Sequence, residues 1–124
     1  MIPGLNDMEI EAIFEAAAEA GAKEAGYILL RLPHEVKDLF VEWLGAHYPE
    51  RKDKVLSLVR QTREGALYRS DWGTRLKGEG PIADLLRQRA ERARKRLGLD
   101  RKKVDLDCSK FAPPARNGRP RRLF

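Results

Sequence analysis

The sequence predicts a mainly α-helical protein with one strand of the parallel type, the end of a parallel α/β domain followed by a helical extension. Three observations carry that expectation. Apolar residues recur at helical spacing in four separate segments. One run, Gly26-Tyr27-Ile28-Leu29-Leu30-Arg31-Leu32-Pro33, is apolar without helical spacing and is bracketed by glycine and proline. Helix and strand alternate at the start of the chain, and only helices follow.

Met1–Leu5 is a short apolar stub ending in turn residues. Asn6 offers a helix N-cap, with Glu9 three positions on as its capping-box partner. Ile10, Ile13, Phe14, Ala17 and Ala18 then mark a helix from about Asp7 to Ala20, and Gly21 can end it in the left-handed conformation. The run Gly26–Pro33 suits a strand buried on both faces. A single buried strand cannot satisfy its own backbone edges, so it requires neighbours, and no second strand is legible.

Val36, Leu39, Phe40, Trp43 and Leu44 mark a helix over about 34–47, closed by Pro49. Val55, Leu56, Val59 and Thr62 mark another over about 50–64, closed by Gly65. Residues 66–81 read as a long loop. Ile82, Leu85, Leu86, Arg89, Ala90, Ala93 and Leu97 mark a last helix ending at Gly98. Residues 101–124 hold eight bases and two acids with three prolines, and read as an extended or disordered tail.

The 124 residues carry a net charge of +6, with 42% hydrophobic and 35% charged residues. The charge is uneven. Residues 1–50 hold ten acids against three bases, net −7, and residues 51–124 hold 22 bases against nine acids, net +13. Either the halves complement each other's surfaces, or the basic half meets an acidic partner or nucleic acid. The single Cys108 can form no internal disulfide and can hold neither zinc nor an iron–sulfur cluster alone. No apolar run reaches membrane-spanning length and the N-terminus lacks a secretion pattern, so a cytoplasmic location follows by default.

Chemistry is sparse. Ile2-Pro3-Gly4-Leu5-Asn6-Asp7 is a glycine turn into a helix N-terminus, where free amide donors can meet a ligand. Arg31 interrupts an apolar run, so it needs a carboxylate or phosphate partner, or a place at the solvent-facing mouth of the strand. Arg69, Arg75 and Lys77, near Tyr68 and Trp72, form a candidate phosphate-contacting loop with aromatics available for stacking; the alternative is a structured packing loop. Arg87, Arg89, Arg92, Arg94, Lys95 and Arg96 form a basic stripe that suits nucleic acid or a solvated helix face. Trp43 and Trp72 read as core packing. His34 and His47 have no metal-ligand companions in the sequence and read as surface or cap residues.

An isoleucine, any residue, glycine, two residues and an acid also form the latter part of a motif that follows the fifth barrel strand in radical S-adenosylmethionine enzymes. The stub has this pattern. Further blocks, Ala16–Ala22, Ala25–Pro33, Val55–Arg60, Gly73–Pro81 and Leu123-Phe124, extend the likeness, and together the chain resembles the C-terminal portion of photolyase-like radical SAM proteins related to spore photoproduct lyase. The resemblance implies that residues 1–33 are the end of a partial radical SAM α/β barrel, comprising the fifth-strand exit, a helix and the sixth strand. Residues 34–100 would be the helical C-terminal extension and 101–124 a flexible basic tail. It implies that Ile2, Gly4, Asp7, Leu30, Arg31 and Leu32 border an S-adenosylmethionine pocket. The three-cysteine loop that holds the 4Fe-4S cluster in such enzymes is missing, so neither group is expected to bind this chain alone. The chain then reads as a fragment, inactive by itself, whose partner is the remainder of the barrel. The alternative is a small basic nucleic-acid-binding or adaptor protein.

Overall fold

A computed structural model of the chain describes residues 1–100 and 107–112. A 3-10 turn at Asp7–Glu9 leads into α1 (Ile10–Glu19); α2 (Val36–His47), α3 (Lys52–Gln61) and α4 (Gly80–Leu97) follow. The tail expected to be flexible lies outside the described residues except for Asp107–Ala112, where Phe111 N–H closes a turn on Cys108 O.

The helices begin and end for local reasons. Beyond α1, Ala22 N–H bonds Ala17 O and Gly21 N–H bonds Ala18 O, which satisfies the last carbonyls. Leu99 N–H bonds Arg94 O after α4 in the same way, and Leu99 is buried beneath that helix end. Pro81 sits in the first turn of α4, where its missing N–H has no intrahelical partner to lose. Asn6 departs from the capping-box expectation: its side chain makes no cap bond and instead accepts the Ile2 N–H at 2.8 Å.

Three buried clusters form the core. Ile10 and Phe14 of α1 pack on Ala90 and Ala93 of α4 and on Leu99. Leu44, Val55, Leu56 and Val59 join α2 to α3 around Leu32. Leu29, Ala83 and Leu86 form the third.

The run at 25–33 passes through all three clusters. Ala25 and Tyr27 pack on the first, Leu29 sits in the third and Leu32 in the second. It is extended, but it is not a strand, and no strand occurs among the described residues. The only β-type pairing among them is an isolated antiparallel bridge between Glu24 and Asp100. This corrects the expected parallel strand, and the physical reason is visible in its hydrogen bonds. Leu29 N–H bonds Leu76 O at 2.9 Å and Leu30 N–H bonds Met1 O at 2.9 Å. Loops therefore supply the partners that a sheet would have supplied. Burial alternates from Ala25 to Leu29 and then slips, with Leu29 and Leu32 inside and Arg31 outside, so the strand repeat of two is not kept through the run. The described residues form a small all-helical domain, so the fold expected from the radical SAM resemblance, a barrel end with its sixth strand, is corrected as well.

The acidic N-terminal half packs on the basic half. Arg89 of α4 grips Glu11 of α1 through Nε at 2.8 Å and Nη2 at 2.6 Å, with Asp7 at 3.9 Å. Arg96 bonds Glu15 at 2.5 Å. Hydrogen bonding to Arg89 holds the Glu11 carboxyl below the usual carboxylate range. A carboxylate whose pKa is lowered on folding adds stability that is complete above its unfolded pKa and is lost as pH falls through the folded value. Glu11→Gln is therefore expected to cost about 1 kcal/mol at neutral pH, since the pair is bidentate but partly exposed. In urea titrations the gap between variant and parent should narrow as pH falls through and below the ordinary glutamate range. A gap that persists there would assign the loss to packing instead.

Candidate nucleic-acid interface

The site is built on the turn after α3. Val55, Leu56, Val59 and Thr62 face the core, and Arg63 continues that face with only 3% exposure. Its guanidinium donates from Nη1 to Thr74 O at 3.0 Å and from Nη2 to Leu30 O at 3.1 Å. No carboxylate pairs with it among the described residues. Burial pushes its pKa down, and the Arg31 charge pushes it further. One buried cation thus ties the 66–79 loop to the extended segment. Two backbone bonds add to it, Leu29 N–H to Leu76 O and Glu79 N–H to Thr62 O at 3.1 Å.

The loop between these anchors projects outward. Trp72 is 86% exposed, which corrects the core-packing expectation for it. The Arg75 guanidinium lies over the Trp72 ring, 4.4 Å from its centroid. Trp43 is also partly exposed, at the centre of an aromatic cluster with Phe40, His47 and Tyr48 on α2.

The predicted phosphate-contacting residues separate. Arg69 is held by Glu64 and by Asp71 at 2.7 Å, so its charge is already matched. Arg75 sits on Trp72. Lys77 lies with Gly26, Tyr27, Arg87, Ala90, Glu91 and Arg94 around a cleft of about 180 Å³. The basic stripe of α4 separates too. Arg89 and Arg96 turn to the acids of α1, while Arg87 and Arg94 face the cleft. Arg87 is also paired with Asp84.

The residues expected to border S-adenosylmethionine have the following neighbours. Ile2 packs beside Leu32 in the α2–α3 core, and Leu32 itself is buried. Gly4 adopts φ +76°, and its N–H bonds Asp7 Oδ1 at 2.7 Å. Leu30 uses its N–H on Met1 and its carbonyl on Arg63. Arg31 is exposed and makes no ion pair among the described residues. No group of three or more His, Cys, Asp or Glu among them could hold a metal ion. Without a barrel strand or such a ligand cluster, the described residues do not support a fragment of a radical SAM enzyme carrying part of the cofactor pocket, nor an iron–sulfur assignment. No family model, curated protein or solved structure matches this chain significantly. No helix among the described residues is long and apolar enough to cross a membrane.

Sequence reasoning missed Arg63 and Tyr27. Arg63 had a legible signal: it falls seven residues after Leu56, in line with the buried face of α3 though just past its end. Tyr27 had none, since its place beside α4 is a long-range contact.

Proposed function

We propose that this chain binds single-stranded nucleic acid, with the Trp72–Arg75 pair as a stacking platform and Lys77, Arg87 and Arg94 as backbone contacts. The exposure of Trp72 carries the reading. Leaving so large an apolar ring in water forgoes roughly 1.5–3 kcal/mol of burial. A cation on one side and solvent on the other suit a ring that stacks on a base. Its turn leads directly to Lys77 and the α4 cleft, so a strand stacked on Trp72 would meet cations next.

The test is fluorescence anisotropy with a labelled oligothymidylate at several salt concentrations. Affinity is expected to fall steadily as salt rises, because cations that meet phosphate release its counterions. Trp72→Ala is expected to weaken binding about 5- to 150-fold, the range of one lost base stack. No binding at low salt would overturn the proposal, and so would binding indifferent to Trp72.

A further inference from the structure

We propose that the cleft between α4 and Gly26–Tyr27 is a pocket for one phosphate group. The nucleic-acid reading supplies only the source of that phosphate, the end of a strand; the pocket itself stands on its own lining.

The donors converge from three elements. Arg87 and Arg94 come from one face of α4, two turns apart, Lys77 from the loop, and Tyr27 from the extended segment. Burial raises the Tyr27 pKa, so the phenol keeps its proton and can donate. Gly26 and Tyr27 also line the cleft, and no acceptor among the described residues takes the backbone N–H of either. Arginine and lysine donors around one opening suit the several oxygens of a phosphate.

Arg94 gives the sharpest indication. Its Nε is buried and has no hydrogen-bond partner. A buried charged donor without an acceptor is costly, and an anion paired with this partly exposed guanidinium would offset that cost. The acids present do not. Glu91 is the single carboxylate lining the cleft, and neither Arg94 nor Lys77 has an ion-pair partner among the described residues. The neighbouring groove along α4 repeats the pattern, with Arg94 and Lys95 beside Glu91 and Asp100 but no ion pair formed.

Size narrows the ligand. A volume of about 180 Å³ falls below the roughly 300 Å³ at which pockets begin to enclose drug-sized molecules. A volume of that order suits a phosphate group.

The experiment follows the amide resonances of the full chain during titration with three probes. These are a 5′-phosphorylated hexathymidylate, its 5′-hydroxyl counterpart and thymidine 5′-monophosphate. The phosphorylated strand is expected to bind at least tenfold more tightly than the hydroxyl strand, shifting Gly26, Tyr27 and Lys77. Arg94→Gln and, at an exposed position, Lys77→Gln should each bring that ratio below three. If both strands bind equally and the monophosphate shifts nothing, the pocket is overturned and the stacking surface stands. If neither strand binds but the monophosphate saturably shifts those amides, the pocket stands with a free nucleotide as the source, and the strand reading fails. If no probe binds, both fail.

Discussion

Replacing Arg63 by alanine is expected to lower the thermal unfolding midpoint by roughly 10–20 °C, corresponding to about 3 kcal/mol. Two effects oppose each other. The substitution removes a buried cation that has no acidic partner among the described residues, and this alone would stabilise the fold. It also strips Leu30 O and Thr74 O of charge-assisted donors at 3.1 and 3.0 Å. Hydrogen bonds from charged groups contribute about 1.5–3 kcal/mol each, so the lost pair outweighs the relief. Arg63→Met retains the apolar stem and separates packing from hydrogen bonding. It should recover less than half of the loss. Calorimetry that found either variant within 3 °C of the parent would show that water replaces the guanidinium without penalty.

Gly78→Ala is expected to cost about 3 kcal/mol, read as a lower urea midpoint at unchanged slope. Gly78 has φ +72°, where a side chain adds roughly 1–2 kcal/mol of strain. A Cβ there would stand 2.6 Å from Leu29 Cδ1 and 3.0 Å from the backbone oxygen of Thr62. The leucine is packed in the core and the carbonyl is fixed by Glu79, so neither yields easily. Gly73 provides the control. It has φ +91° with nothing within 4 Å of the added carbon, so Gly73→Ala should show the strain alone, about 1 kcal/mol. Equal losses at the two positions would mean that the close approach at Gly78 has no energetic weight.

The helices were legible because their causes are local. Ile10 and Phe14, or Leu86, Ala90 and Ala93, repeat on one face, and Gly21 and Gly98 end their helices through bonds within five residues. The charge asymmetry was legible as well, and it reappears as the Glu11–Arg89 and Glu15–Arg96 pairs. The extended run was misread for the opposite reason. What distinguishes a strand from a threaded segment is the identity of its partners, and these lie at Met1, Arg63 and Leu76, far away in sequence. The resemblance to a barrel end compounded the error. Gly4 and Pro33 marked turns correctly, but turn residues and apolar runs serve many folds. At the candidate site, Lys77 and the α4 bases could be nominated from composition. Which of them meet acids, as Arg69 and Arg89 do, is decided by packing alone.

The extended segment also governs how a ligand would be received. Gly26 and Tyr27 form one wall of the cleft, while Leu29 and Leu30 anchor the loop that carries Trp72 and Lys77. Both parts of the surface are therefore held by the same nine residues before any strand arrives. Fixing a backbone residue costs about 1–2 kcal/mol of conformational entropy, and here folding has already met that cost. Association would then be left mainly with restricting the nucleic acid itself, so modest cations and one aromatic ring can suffice for a surface of this size.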